Sequence, residues 1–397
     1  MVSQEATSRE LSLYVHVPFC EQKCRYCSFY SVHGRESEYD AYLEAVRTEW
    51  DLICRDRRLD EANLTIATLY LGGGTPSLLG AERLERLLSS LRQPLPWVED
   101  CEVTAELNPE DIDRAQAQRL LASGIGRLSV GIQSFRDEEL ELLGRRADAR
   151  QVREALDAIR EAGCRNLSFD LIYGLPGQTV DQWLQSLQEA LSRQPEHLSC
   201  YLLTAEEDTI LHQLLRGGVV ESPLDEVLLQ QYKTTGHLAP SAGLEQYEIS
   251  NFARPGFRCR HNLGTWTRQP YLGLGPAAHS FDGGARWCNV ADWPEYRTQV
   301  LEQKQRPIRE RYRLGGADAA KEMILLGLRL AEGVAWSDLE QAVSARKVQQ
   351  LHRRVEFLVG TGFLLRDAER LRLSPDAYFV SNSVFVELIR TLEEEEA

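Results

Sequence analysis

Three cysteines in one short loop are the residues of this chain best suited to carry chemistry. They occur as Cys20-Glu-Gln-Lys-Cys24-Arg-Tyr-Cys27, shortly after an alternating apolar stretch that ends at Val17. A [4Fe–4S] cube usually takes four thiolates, and this loop supplies three. One iron of such a cube would therefore be left open for a small molecule.

A structural zinc site is the main alternative for the same loop. Zinc prefers four nitrogen or sulfur ligands in closed tetrahedral geometry, and the next cysteine, Cys54, lies far along the chain in a predicted helix. His16 and His33 are near enough in sequence to complete such a site, so zinc stays open as an alternative. A disulfide is disfavoured because nothing else in the chain indicates secretion.

Composition limits the classes of protein to consider. The chain has 397 residues and a net charge of −15, so a broad nucleic-acid footprint is not expected. No apolar run approaches the length of a membrane span, and the first ten residues lack the apolar core of a signal peptide. Cysteines scattered singly outside the loop fit a reducing cytoplasm. We therefore expect a cytoplasmic protein, and we leave peripheral membrane association and a homodimer open.

The elements that must position the cysteines form a repeating pattern. Six β-like runs alternate with helical patterns, and the runs cover residues 11–17, 65–71, 101–107, 127–133, 166–172 and 197–203. Apolar and polar residues alternate within each run, whereas strands covered on both faces read as continuous apolar runs. One face should therefore look into a polar lumen. We predict an α/β fold with a partial (βα)6 TIM-like barrel and a site at the C-terminal ends of its strands.

The chain divides into four predicted regions. They are an N-terminal tail at 1–10, the barrel core at 11–205, a barrel extension at 206–312 and a C-terminal module at 313–397. The extension reads as irregular and is rich in Gly, Pro, Arg and aromatic residues. The last region predicts a winged-helix-like α+β module, with helices at 317–331, 337–343 and 347–360, a hairpin at 363–366 and 370–373, and a final helix.

Two carboxylates stand inside otherwise apolar strands. Burying the unpaired charge of Glu106 or Asp170 would be costly, so each should have a cationic or hydroxyl partner. Either they form internal salt bridges with Arg127 or Arg145, or they meet a ligand in the lumen. A glycine-rich turn, GGGTP at 72–76, follows the second strand and would let backbone groups approach that ligand closely.

The segment Cys259-Arg-His-Asn-Leu-Gly-Thr-Trp266 brings a histidine and an aromatic side chain together in the extension. Imidazole is a standard axial ligand of heme iron, and aromatic side chains suit a flat macrocycle. We therefore expect heme contact through His261.

The cysteine spacing, with an aromatic residue just before the third thiolate, resembles the radical S-adenosylmethionine (SAM) superfamily. There the open iron binds the amino and carboxylate groups of SAM. Over nearly the whole chain the motifs resemble the oxygen-independent coproporphyrinogen III oxidase-like family of that superfamily. The matching blocks are YVHVPFC at 14–20, GGTP at 73–76, TAELNP at 104–109, GIQSF at 131–135, LGR at 143–145 and DLIYGLPGQ at 170–178.

The resemblance implies a ligand set but no catalytic residue. A [4Fe–4S] cluster would be held by Cys20, Cys24 and Cys27. SAM would be held by Tyr14, Tyr26, Gly73, Gly74, Thr75, Glu106, Gln133, Arg145 and Asp170. From the residues themselves, we expect the polar lumen side chains among these to hold the ribose hydroxyls and the carboxylate of SAM.

Two departures point to one branch of the family. Oxidase members have a fourth cysteine where this chain has Phe29, and a longer arm before the residue that matches Cys20. Both features, and the His261-Asn-x-x-x-Trp266 motif, resemble the heme chaperone branch. That branch usually has Tyr where this chain has Thr265.

The resemblance therefore implies a heme chaperone of porphyrin metabolism that binds the cluster, SAM and heme and delivers heme to apo-hemoproteins. Coproporphyrinogen oxidase activity is not expected, and SAM cleavage is left open. Three alternatives remain. They are a decarboxylating coproporphyrinogen III dehydrogenase, a radical SAM methyltransferase and a winged-helix regulator with a redox-sensing cluster. The acidic charge disfavours the regulator.

Overall fold

The structure, a computed structural model, describes residues 9–55 and 64–393. Most of the predicted tail at 1–10 and of the acidic chain end lies outside the described residues. The strands are β1 Arg9–Val17, β2 Phe19–Cys20, β3 Val32–His33, β4 Leu64–Gly73, β5 Trp97–Leu107, β6 Arg127–Gln133, β7 Leu167–Tyr173, β8 His197–Leu202, β9 Glu245–Gln246, β10 Asn251–Ala253, β11 Tyr271–Leu274, β12 His279–Phe281, β13 Ala285–Asn289, β14 Ile308–Arg313, β15 Val334–Ala335, β16 Leu364–Arg366 and β17 Arg370–Leu373.

The α-helices lie between and after these strands. They are α1 Glu36–Cys54, α2 Gly80–Leu91, α3 Arg114–Ala122, α4 Asp137–Leu143, α5 Ala149–Glu161, α6 Val180–Ser192, α7 Ile210–Arg216, α8 Asp225–Ser241, α9 Arg260–Trp266, α10 Trp293–Arg297, α11 Ala317–Gly327, α12 Trp336–Ala342, α13 Ala345–Gly360 and α14 Ser381–Glu393.

Six parallel strands form the predicted partial barrel. β1, β4, β5, β6, β7 and β8 are neighbours in that order, and each pairs in parallel with the next. The predicted alternation is confirmed in β5, where Val103 and Ala105 are buried in the apolar core. Glu106 of the same strand faces a cavity inside the barrel. Polar residues of β4 to β8 therefore line a lumen, as the sequence predicts, whereas those of β1 do not.

The prediction that residues 206–312 are irregular is wrong. β11 pairs in parallel with β1, and β12 to β14 continue that edge as antiparallel strands. At the other edge, β10 pairs with β8 and β9 with β10. The barrel sheet therefore continues beyond its six core strands at both edges. These short strands form because each has an existing edge to pair with, which local composition does not reveal.

A buried carboxylate fastens one of these edges to the barrel. Glu49, on α1, accepts hydrogen bonds from the Gly275 N–H at 2.8 Å, the Asn289 Nδ2 at 2.6 Å and the Tyr296 hydroxyl at 2.6 Å. These groups come from the turn after β11, from β13 and from α10. A buried carboxylate with three donors is well satisfied, so this contact fixes the extension on the barrel wall.

The C-terminal module has its own apolar core. Its helices pack on a three-stranded sheet of order β15, β17, β16, and buried residues such as Ile324, Leu351 and Leu388 form a core separate from that of the barrel. The predicted hairpin is confirmed as β16 and β17. The region boundaries themselves stay predictions. Within residues 9–55 and 64–393, no helix is both long and apolar enough to cross a membrane.

Candidate functional site

The cysteine loop is tied at its base immediately after the first barrel strand. β2 and β3 pair in parallel, the Val32 N–H donates to the Pro18 carbonyl at 2.7 Å, and the Gly34 N–H donates to the Cys20 carbonyl at 2.9 Å. The intervening residues form a compact surface loop of the kind that often carries function. The three thiols are thus presented at the C-terminal ends of the barrel strands.

Other parts of the barrel hold the far side of this loop. The Arg25 N–H donates to the Leu143 carbonyl at 2.9 Å, and the Arg25 carbonyl accepts from the Leu211 N–H at 2.8 Å. The Tyr26 ring packs against a small apolar cluster that includes Leu143 and Ile172. The aromatic residue before the third cysteine therefore anchors the loop on the barrel end.

Hydrogen-bond donors point at the sulfur atoms. The Thr75 hydroxyl lies 3.4 Å from the Cys20 Sγ, and the Arg145 Nη1 lies 3.6 Å from the Cys24 Sγ. Burial raises the pKa of the Cys20 and Cys27 thiols above the ordinary value. Metal binding must therefore displace protons from these two thiols. Nearby donors of this kind stabilise sulfur that carries negative charge, as it does in a cluster.

The two histidines that could complete a zinc site are engaged elsewhere. His16 contacts the Tyr14 hydroxyl through Nδ1 at 3.1 Å and the Tyr30 carbonyl through Nε2 at 2.9 Å. His33 Nδ1 contacts the Glu21 carbonyl at 2.9 Å. A metal-binding imidazole needs a free ring nitrogen, so His16 is disfavoured as a zinc ligand, whereas the His33 contact uses only Nδ1 and zinc stays open there. The chemistry of the donor set, three thiols that line one cavity with hydrogen-bond donors beside Cys20 and Cys24, is that of a cluster with an open position.

The glycine-rich turn after β4 brings bare backbone next to the thiols. Gly73 has a φ of +106°, which favours glycine. A Cβ added to Gly74 would lie 2.7 Å from the Val17 and Phe19 carbonyl oxygens, so a side chain cannot be accommodated there. Both glycines line the cavity. The turn can therefore offer backbone groups to a ligand at close range.

The two lumen carboxylates are bonded to hydroxyl and backbone groups rather than to arginines. Glu106 accepts from the Tyr70 hydroxyl at 2.8 Å and from the Gly73 N–H at 3.2 Å. Asp170 accepts from the Ser129 hydroxyl at 3.2 Å. Burial raises the pKa of both carboxyls, that of Glu106 to about 7. The salt-bridge alternative is therefore not what the structure shows.

Arg145 joins three parts of the site. Its Nη2 donates to the Asn108 Oδ1 at 2.8 Å and to the Gly131 carbonyl at 2.9 Å, while Nη1 faces Cys24. Gln133, at the end of the same strand as Gly131, has a φ of 67°. Non-glycine residues with positive φ are strained and concentrate at functional sites. The backbone at the end of β6 thus has a strained conformation at Gln133, which lines the lumen.

Most of the predicted site residues meet at one cavity of about 600 Å³. Those on its wall are Cys20, Cys24, Cys27, Tyr26, Gly73, Gly74, Thr75, Glu106, Gln133, Arg145 and Asp170. Tyr14 is not on the wall and stacks on Tyr70 instead, with ring centres 6.3 Å apart. Which of these side chains contact SAM stays a prediction.

His261 also lies off the cavity wall. It is 6% exposed, its Nδ1 is 2.8 Å from the Thr68 hydroxyl, and its ring centre is 5.1 Å from that of Tyr70. Burial lowers the pKa of His261 to about 3, so its imidazole is neutral. Its neighbours Asn262 and Trp266 do line the cavity. The motif therefore reaches the lumen through those residues rather than through His261.

The sequence reasoning did not single out four residues that support the site. Asn108 contacts Arg145, Tyr70 contacts Glu106, and Ser129 and Ser199 bond Asp170. Asn108 carried a usable signal because it directly follows the end of a barrel strand. The two serines fall on lumen-facing positions, but their contact with Asp170 depends on the register of three strands.

The fold and the three-cysteine loop define a radical SAM protein. Residues 14–190 match the radical SAM superfamily, and residues 315–380 match the HemN C-terminal domain. The solved coproporphyrinogen III oxidase (HemN) of Escherichia coli, a radical SAM enzyme, has a similar fold. Its TM-score is 0.81 at 24% identity, covering 98% of this chain and 91% of that one.

Comparison with named relatives assigns the chain to one family within the radical SAM superfamily. The chain is 35% identical to the heme chaperone HemW of Bacillus subtilis over 82% of its own length and 84% of the relative's. It is 36% identical to the heme chaperone HemW of Mycobacterium tuberculosis, over 90% of this chain and 93% of the relative. The mitochondrial radical S-adenosyl methionine domain-containing protein 1 of Mus musculus is 33% identical to this chain, over 99% of this chain and 90% of the relative. The chain belongs to the HemW family, and its superfamily implies a [4Fe–4S] cluster and SAM.

Proposed function

We propose that this protein is a heme chaperone that binds a [4Fe–4S] cluster, SAM and heme, and passes heme to apo-hemoproteins in the cytoplasm. The observation that carries the proposal is its identity of 35% and 36% to relatives named heme chaperone over most of both chains. Phe29, at the position of the fourth oxidase cysteine, supports the same branch. Buried cysteines without a disulfide, such as Cys164, Cys200 and Cys259, fit a reducing compartment.

Cys20, Cys24 and Cys27 would hold the cluster, which when bound supplies an electron to SAM at its open iron. The protein residues position the ligand. Backbone groups of the turn at 73–75 would meet the amino-acid end of SAM. Ionised Glu106 and Asp170 would accept hydrogen bonds from its hydroxyls, because a carboxylate without its proton is an acceptor only.

Heme would be handled at the other side of the cavity, where Asn262 and Trp266 form part of the wall. His261 is the proposed iron ligand. Its Nδ1 is occupied by Thr68, which leaves Nε2 as the nitrogen for iron. Because the imidazole lies off the cavity wall and is 6% exposed, coordination would require this side chain to turn into the lumen, away from the Tyr70 ring.

We expect His261→Ala to weaken heme binding by about tenfold or more, because loss of an axial ligand removes the strongest single contact to iron. Heme is titrated into the cluster-loaded protein and the Soret band is followed. His237→Ala, an exposed histidine on α8, is the control and should bind heme like the wild type. Unchanged heme affinity in His261→Ala would remove His261 from the site.

The fold likeness to HemN favours a decarboxylating coproporphyrinogen III dehydrogenase as the second candidate. One assay distinguishes the heme chaperone from the dehydrogenase. Coproporphyrinogen III, SAM and a reductant are added to the reconstituted protein under anaerobic conditions, and tetrapyrrole products are analysed. We expect no protoporphyrinogen, together with transfer of bound heme to an apo-hemoprotein. Formation of protoporphyrinogen at a catalytic rate would replace the chaperone proposal with the oxidase.

A further inference from the structure

The cavity continues beyond the predicted SAM residues towards the other end of the barrel. Arg127 begins β6 and Gln133 ends it, so their backbones are about 20 Å apart along the strand. Arg127, Asn251, Trp266 and Arg329 all line the same cavity. We call these four residues the inner subsite. None of them is among the predicted SAM contacts.

Several buried polar atoms of the inner subsite lack a hydrogen-bond partner within the described chain. Arg127 is 2% exposed, yet its Nε and Nη1 have no hydrogen-bond partner within the described chain. The same holds for the Trp266 Nε1 and the Arg329 Nε, both buried atoms. Asn251 Oδ1 is the single acceptor among these unpartnered atoms. Buried polar groups are normally satisfied, so an excess of buried donors calls for an acceptor-rich ligand.

Of the arginine and indole donors in the inner subsite, nearby carboxylates of the described chain contact only the Arg329 Nη2. Glu248 Oε1 accepts from the Ser250 N–H at 2.8 Å, and Glu248 Oε2 lies 3.5 Å from the Arg329 Nη2. Glu106 and Asp170 are held by Tyr70, Gly73 and serine hydroxyls. The donors that remain without a partner are therefore on the guanidinium groups of Arg127 and Arg329 and on the indole of Trp266. A planar guanidinium fork matches a carboxylate in particular.

The wall beside these donors suits a flat ligand body. The Arg329 guanidinium lies over the Trp266 ring at 4.7 Å, which orients both side chains. Towards the C-terminal ends of the strands the cavity wall continues with Tyr201 and Leu202, which are 41% and 36% exposed. A ligand that combines a carboxylate with an extended apolar face would satisfy both parts of the wall.

We propose that the inner subsite binds a carboxylate arm of a tetrapyrrole, which is a propionate if the ligand is heme. The choice of tetrapyrrole rests on the proposed function, whereas the unpartnered donors do not depend on it. Arg127 makes the main charge contact, and Trp266 and Arg329 add hydrogen bonds from the neighbouring wall.

The test compares metal-free coproporphyrin III with its tetramethyl ester, using porphyrin fluorescence and the full-length, cluster-loaded protein with SAM. The two probes share a macrocycle and differ in their carboxylates. We expect the wild type to bind the acid at least tenfold more tightly than the ester. Arg127→Gln should reduce this ratio towards one, with ester binding unchanged. Trp266→Phe keeps an aromatic ring at this position but removes the indole N–H, so it should lower the ratio a few-fold.

Arg153→Gln, an arginine on α5 outside the cavity, is the control and should keep the wild-type ratio. If Arg127→Gln does not fold, judged by circular dichroism, the Trp266→Phe and Arg329→Gln ratios decide. Equal binding of acid and ester by the wild type, no binding of either, or an equal loss of both in the folded variants would overturn the inference. Failure to bind or transfer heme, with acid-selective porphyrin binding intact, would count against the proposed function alone.

Discussion

Cys24→Ala is expected to abolish the iron–sulfur cluster. The loop offers three thiols, and Cys24 is the one that Arg145 contacts through Nη1. With only two thiolates left, the loop cannot hold a cube that already has one iron without a protein ligand. After anaerobic reconstitution, the variant should lack the broad visible absorbance of the wild type and contain little iron or sulfide.

Cys288→Ala is the matched control for this substitution. Cys288 is also a partly buried, unpaired cysteine, but it lies on β13 at one edge of the sheet. This variant should reconstitute with about four irons per chain, like the wild type. A full cluster in Cys24→Ala, or zinc in place of iron in the purified wild type, would mean that the ligands are assigned wrongly.

Glu106→Gln is expected to weaken SAM binding by about 10- to 100-fold at pH 8. This is the range that corresponds to losing a hydrogen bond to a charged group, about 1.5–3 kcal/mol. Burial raises the pKa of Glu106 to about 7, so the carboxyl is mostly protonated at pH 6 and mostly ionised at pH 8. Because the ionised form is the acceptor, wild-type SAM affinity should rise with pH through about 7.

Glutamine does not titrate, so this rise attributable to position 106 should be absent from the variant. Affinities are measured by calorimetry on cluster-loaded protein at pH 6, 7 and 8. Glu99→Gln is the control because Glu99 lies on the same strand and is exposed. Wild-type affinity in Glu106→Gln at pH 8, or the same pH profile in both proteins, would exclude Glu106 from the SAM site.

The barrel could be predicted because its pattern is local. The run at 127–133 coincides with β6, and the alternation in β5 separates core residues from lumen residues, as period-two patterning should. The cysteine loop was equally predictable, since its three ligands lie within eight residues of chain. The strand alternation and the cysteine spacing can both be recognised from residues that are close together in the sequence.

The extension could not be predicted because its partners are distant in sequence. β11 pairs with β1, and the length of chain that separates them gives no local sign of the pairing. The helix α8 was missed for another reason. Its buried positions include Gln231 and Thr235, and the Thr235 hydroxyl accepts a hydrogen bond from the Trp183 indole at 2.9 Å. A helix that buries polar residues lacks the apolar stripe by which helices are recognised.

The position of the His261 side chain could not be predicted from local sequence either. Its sequence context, with Asn262 and Trp266 close by, indicated a ligand-facing side chain. In the fold, the N-terminus of α9 is fixed by Glu102, whose carboxylate accepts from the Arg260 and His261 N–H groups at 3.0 Å each. The imidazole contacts Thr68 on β4, and no local pattern encodes either of these contacts.

The measurement that tests the cluster and its open iron most directly is electron paramagnetic resonance of the reduced, reconstituted wild-type protein with and without SAM. Three thiolates leave one iron able to bind the amino and carboxylate groups of SAM, so we expect the spectrum of the reduced cluster to change when SAM is added. A spectrum unaffected by saturating SAM would contradict a three-cysteine cluster with a SAM-binding corner.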